Sequence, residues 1–183
     1  MHDPTAGWHA EHASFARLLD LLDRQVERFH AGESPDYELM LDIVTYLRHF
    51  PDRTHHPREN VAFERLVRHD RSIAPLVNRF VQEHRVIAQA GKQMQELLEA
   101  IAGDEFVERA AVEVACSTFL VYYRHHIAGE ESLIIPLAAK TLTAEDWKAV
   151  GAAIATESDP LFGAEVDARY RELRELIDAE ART

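Results

Sequence analysis

Phe15-Ala-Arg-Leu-Leu-Asp-Leu-Leu-Asp-Arg-Gln-Val-Glu-Arg-Phe29 places Phe15, Leu18, Leu19, Leu22, Val26 and Phe29 at three- and four-residue steps. That spacing lines one face of an α-helix and leaves the opposite face charged. Extended back to Trp8, the pattern predicts a first helix over residues 8–29. The same periodicity recurs downstream. Leu39, Ile43, Tyr46, Leu47 and Phe50 mark a second helix, opened by Ser34 as cap with Pro35 at the first helical position. Pro51 and Pro57 each remove a backbone donor, so a kink or short break is expected there before the helix resumes through Val61, Phe63 and Leu66 to about residue 69.

A third helix is predicted from about 74 to 101, ended by Gly103. A fourth runs from 105, capped by Asp104, to about 140. Four long helices joined by short turns lie antiparallel to their neighbours, which makes the fold class all-α, an up-and-down four-helix bundle. Thr143-Ala-Glu-Asp146 reads as a capping box opening a fifth helix to about 156. After a loop at 158–163, a last amphipathic helix covers 165–180. The expected organisation is one domain over 1–183, with the bundle at about 5–140 and two extra C-terminal helices at about 143–181 as cover or as a homodimer surface.

The formal net charge of −12 and the lack of a Lys/Arg cluster argue against a nucleic-acid partner. No apolar run reaches membrane-spanning length, and Met1-His-Asp-Pro-Thr5 lacks the basic and apolar regions of a signal peptide, so a cytoplasmic location with no membrane contact is expected. The single cysteine, Cys116, excludes a disulfide or a thiolate-based metal site within one chain and reads as core.

Eleven histidines are many for this length, and their positions carry the chemistry. His12 stands alone on the first helix, and His55 is followed four residues on by Glu59. His84 stands alone on the third, and His126 is followed four residues on by Glu130. His12 and His55 are 43 residues apart, His84 and His126 are 42, so two halves repeat one pattern. Residues at i and i+4 share a helix face, and each His-x-x-x-Glu therefore turns an imidazole and a carboxylate into the same interior volume. Burying these groups unpartnered is costly, and metal cations remove the cost. Four nitrogens and two carboxylates match two ions, with iron, manganese or zinc suited to a set without thiolate.

Helical neighbours point about 100° apart, so His9, His56, His125 and Glu131, which adjoin the chosen residues, are assigned to the surroundings of the site or to the surface. His2, His30, His49 and His69 lack the paired spacing and read as solvated or packing residues. Tyr122, four residues before His126, is placed on the same face and reads first as a packing residue, with a phenol near the metal as the alternative.

Phe50-Pro-Asp-Arg-Thr-His-His-Pro-Arg-Glu59, Glu83-His84 and Tyr123-Arg-His-His-Ile-Ala-Gly-Glu-Glu131, followed by Pro136-Leu-Ala, resemble the hemerythrin-like, or HHE cation-binding, proteins. Leu142-Thr-Ala-Glu-Asp-Trp147 and Asp159-Pro-Leu-Phe162 are similar to bacterial members as well. The family pattern H, HxxxE, H, HxxxE falls on His12, His55, Glu59, His84, His126 and Glu130. The resemblance implies two iron ions, oxo- or hydroxo-bridged, that bind dioxygen, nitric oxide or peroxide for sensing, storage or stress response. An enzyme turning over peroxide or nitric oxide, and a metal-free helical interaction module, are the alternatives. Oxygen-carrying hemerythrins use five histidines, one Glu and one Asp. Here Glu130 takes the last acidic place and the pattern supplies one histidine fewer, which argues against simple oxygen carriage.

Overall fold

All regular structure among the described residues is helical, as the periodicity requires. The structure is a computed structural model, and it describes residues 4–154 and 157–180. Helix α1 spans Ala6–His30. Helix α2 spans Tyr37–Phe50, and its cap is Asp36, not Ser34: the Asp36 carboxylate accepts from Leu39 N–H at 3.0 Å. The Asp36 amide in turn donates to the Gln25 side chain of α1, which fixes where the helix starts.

The expected break near Pro51 is a single π-helical turn, Pro51–His55, running straight into α3, His56–His69. Pro57 has no N–H for the Arg53 carbonyl, so the ladder widens by one residue, and His56 N–H bonds the Pro51 carbonyl instead. The Thr54 hydroxyl donates to the Phe50 carbonyl at 2.7 Å and Arg58 Nε to the Thr54 carbonyl at 2.7 Å, satisfying the oxygens around the wider turn. The fourth predicted helix has the same device. Helix α5, Arg109–Gly129, passes through a π turn at Glu130–Ile134 into α6, Ile135–Thr141. Pro136 withholds the donor there, and the Ser132 hydroxyl takes the Ala128 carbonyl at 2.6 Å.

Helix α4, Ala74–Ala102, is capped at its C-terminus by Gly103. The positive φ falls on Asp104, at 59°, so Asp104 turns the chain and does not cap the next helix, which begins four residues later than expected. Helix α7, Ala144–Gly151, has the predicted capping box between Thr143 and Asp146 but stops at Gly151; its expected end at Thr156 lies outside the described residues, as does His2. The last helix starts late, as a 3-10 turn at Ala168–Tyr170 leading into α8, Arg171–Glu180. Helix α7 packs on α3 and α8 on α2. Tyr46 ties the intervening loop down by donating to Asp159 Oδ2 at 2.9 Å. No described helix is long and apolar enough to cross a membrane.

Two apolar clusters fill the interior. One gathers Phe15, Leu18, Tyr46, Phe50, Ile87, Phe119, Tyr123 and Leu173, with Cys116 buried inside it. The other gathers Trp8, Ala62, Phe63, Leu66, Phe80, Ile134 and Val150. Within residues 6–141 the chain passes between them four times: from Trp8 to Phe15, from Phe50 to Ala62, from Phe80 to Ile87 and from Tyr123 to Ile134. Every candidate ligand lies on one of these crossings, so the polar groups form a belt between two dry layers.

Candidate metal centre

The belt brings together all six residues singled out by the repeat, each buried. Their nearest atoms form two groups. His12, His55, Glu59 and Glu130 make one; His56, Glu59, His84 and His126 make the other, with the offered atoms of each group within 4.8 Å of one another. The two glutamates hold the groups together. Glu59 Oε1 lies 2.9 Å from His55 Nε2 and 3.6 Å from His12 Nε2, while its Oε2 lies 3.5 Å from His84 Nε2. Glu130 mirrors it, with Oε2 3.3 Å from His12 Nε2 and Oε1 3.1 Å from His126 Nε2 and 3.6 Å from His84 Nε2. Each carboxylate thus presents one oxygen to each histidine group.

His56, assigned from sequence to the surroundings or the surface, is a correction. It is buried, stacks on His84 with ring centroids 4.2 Å apart and completes the second group. The 100° rule holds, but it does not exclude a ligand here: His55 and His56 diverge into different groups. His56 thus stands where a fifth candidate imidazole would, beside the four of the repeat. Tyr122 is a second correction. It is 44% exposed and lines a surface groove with Arg85, Val86 and Thr118, whereas Tyr123 is the buried phenol. His30, His49 and His125 are exposed, and exposed His69 bonds Asp146 Oδ2 at 2.8 Å.

Carboxylates orient four of the five imidazoles from behind. Nδ1 of His12 donates to Glu131 Oε1 at 2.7 Å, of His55 to Glu11 Oε2 at 2.6 Å, of His56 to Asp52 Oδ1 at 2.8 Å and of His126 to Glu83 Oε2 at 3.0 Å. A carboxylate has no proton to give, so Nδ1 carries a proton and Nε2 is the atom turned inward, free to offer its lone pair once a cation displaces any proton there. Arg58 anchors Glu11, and Arg79 Nε anchors Glu83 at 3.2 Å. His84 differs: its ring is held by stacking against His56 and, at 6.1 Å, Phe63. Sequence reasoning missed Glu11, Asp52 and Glu83. The signal was present for two of them, since Glu11-His12 and Glu83-His84 are the same dipeptide, each Glu serving the His-x-x-x-Glu histidine of the following helix.

The electrostatics describe a site made for positive charge. Burial opposes ionisation of both glutamates, yet the surrounding imidazoles hold Glu59 and Glu130 well below the usual carboxylate range. Burial works against protonation of His12 and His84 too, but contact with the two glutamates raises them to about 10 and about 9. His56, buried beside the His84 and His55 cations with only Asp52 and Glu59 to favour its charge, is pushed down to about 4. Both oxygens of Glu59 and of Glu130, both nitrogens of His84 and Nε2 of His126 have no hydrogen-bond partner among the described residues. Native interiors rarely leave such groups unpaired. A set of nitrogen and carboxylate donors with orphaned inward atoms fits divalent or trivalent cations.

These residues place the chain in a known class of helical cation-binding proteins. It belongs to the hemerythrin HHE cation-binding domain family, which matches residues 3–138. No curated protein and no solved structure matches the chain.

Proposed function

We propose that this protein is a non-haem di-iron protein that binds a small oxidant or gas, of the class of dioxygen, nitric oxide or peroxide. The observation that carries the reading is the placement of Glu59 and Glu130, each with one oxygen toward either histidine group, as two carboxylates shared between two cations require. The alternating passage of the chain between the two apolar clusters supports an up-and-down four-helix bundle, within a single domain, around that pair.

His12 and His55 would serve one ion; His56, His84 and His126 would serve the other. With both carboxylates shared, the first ion has four protein donors and the second five, so the first keeps more room for an exogenous ligand. Iron at such a site supplies a redox-active Lewis acid. The chain's own contribution is orientation and dryness. Glu131 and Glu11 aim the two imidazoles of the less crowded ion, and Phe15, 5.2 Å from the His55 ring, closes the site from the first cluster.

The test is metal analysis joined to visible spectroscopy of the oxidised and reduced protein. Two irons per chain with near-ultraviolet charge-transfer bands in the oxidised form are expected. Protein without stoichiometric metal after expression in iron-rich medium would overturn the reading and leave a helical interaction module.

A further inference from the structure

Tyr123 is fully buried, and its hydroxyl has no hydrogen-bond partner among the described residues. A buried hydroxyl without an acceptor is destabilising, and buried tyrosines ordinarily find one. The other buried orphans are mostly the inward atoms of Glu59, His84, His126 and Glu130, which cations would occupy. Tyr123 keeps the same company without being a ligand of either group. It stands one turn before His126 on α5, and its phenol feels the charges of Asp52, Glu59 and Glu130 without reaching a hydrogen bond to any of them. Its ring packs against Phe119 at 5.4 Å and against Phe15 at 6.3 Å, the same ring that lies 5.2 Å from His55, and the hydroxyl is out of contact with solvent.

We propose that the Tyr123 hydroxyl is the hydrogen-bond donor that the centre offers to a small anionic or oxygen-terminated ligand bound at the metals, so that its acceptor is supplied by the ligand and not by the protein. The proposal rests on the di-iron reading. It selects for ligands that accept a hydrogen bond at the end nearest the phenol, and it makes the metal-free centre bear an unsatisfied donor.

The experiment compares wild type with Tyr123→Phe, using azide as the probe and Tyr122→Phe as the exposed control. Tyr123→Phe removes one oxygen and keeps the ring, so folding is retained. In metal-free protein the melting temperature should rise by about 2–4 °C, because an unpaired hydroxyl is removed. In metal-loaded protein at unchanged iron content, azide affinity should fall about tenfold or more, the scale of a hydrogen bond to a charged acceptor. Tyr122→Phe should move neither. Equal melting shifts with unaltered azide affinity would make Tyr123 a packing residue, and loss of iron from Tyr123→Phe would make it a ligand; either result overturns the proposal alone. A wild type that takes up no metal would instead overturn the di-iron reading beneath it.

Discussion

His56→Leu separates the two ways of counting ligands. If two cations are held as proposed, the second would have three imidazoles, His56, His84 and His126, and one oxygen from each shared carboxylate, and the substitution would leave it two imidazoles. Losing even an outer partner of a metal ligand weakens affinity by about 10–100-fold, so removal of a nitrogen donor should weaken the tighter-held ion by at least that, about 1.4–2.7 kcal/mol. The metal-free protein should respond differently. His56 is buried and pushed down to about 4, so it enters the core as a neutral ring, and leucine has similar bulk. Asp52, its hydrogen-bond partner, has a side chain 37% exposed and can turn to water. Metal-free stability should therefore change by less than about 1.5 kcal/mol, while chelator competition reports one weakened ion and one unaffected. Two ions bound at wild-type affinity in His56→Leu would refute the five-imidazole assignment and restore the four-histidine count.

The same geometry sets further outcomes. Glu11→Gln and Glu83→Gln keep an acceptor for His55 and His126 but remove its charge, and each should lower affinity for the adjoining ion by about 10–100-fold in a chelator titration; unchanged affinity would show that orientation alone suffices. In the metal-free protein the raised His12 and His84 contribute stability that is complete below an imidazole's ordinary pKa and is lost as pH rises through about 9 to about 10. Both therefore hold protons near neutrality, and His55, against its burial, is raised as well by Glu59 and Glu11, so adding zinc to metal-free protein at pH 7 should release at least about two protons per chain in weakly buffered solution; uptake without proton release would contradict the charge arrangement. Gly91→Ala would place a Cβ 2.9 Å from Phe119 Cε2, an atom of a fully buried ring, and from the Arg48 side chain. Overpacking of about 1–3 kcal/mol less about 1 kcal/mol of helix propensity should lower the melting temperature by a few degrees, with metal content unaltered; a stabilised variant would show that α4 and α5 part easily.

The helices were legible because long apolar stripes report burial directly, and the six-residue repeat was legible because i and i+4 spacing forces a shared face. The differences lie where one residue's offset decides the outcome. Ser34 and Asp36 are both competent caps, and the choice depends on Gln25 of α1, a contact no local pattern contains. Gly103 and Asp104 read as a helix stop and start, but Asp104 spends its conformation on the turn, leaving residues 105–108 outside any helix and Phe106 94% exposed. Tyr122 and Tyr123 straddle the boundary of α5's inward face. Spacing from His126 favoured Tyr122, while the apolar stripe through Phe119 and Leu120 favoured Tyr123, and burial tracks the stripe.

The two π turns explain why the place of His56 in the candidate centre escaped a helical reading. In an uninterrupted α-helix one inward stripe is about 100° wide, and adjacent residues cannot both occupy its centre. Pro57, between His56 and Glu59, and Pro136, six residues after Glu130, each remove a donor, and the ladder responds by admitting one extra residue at Pro51–His55 and at Glu130–Ile134. The extra residue rotates the downstream helix about its axis relative to the upstream one. His55 closes the first wide turn and faces His12, with Nε2 atoms 3.0 Å apart, while His56 opens α3 and stacks on His84. One dipeptide thereby reaches both groups. In the second half the widening begins at Glu130 itself, so the carboxylate with an oxygen for each group sits where the backbone changes pitch. The hydroxyls of Thr54 and Ser132, which take the carbonyls four residues back, stabilise the two irregularities from within the turns. A proline downstream, a hydroxyl inside the turn and a ligand at its edge occur in both halves, which makes the interrupted helix part of the site and not a defect beside it.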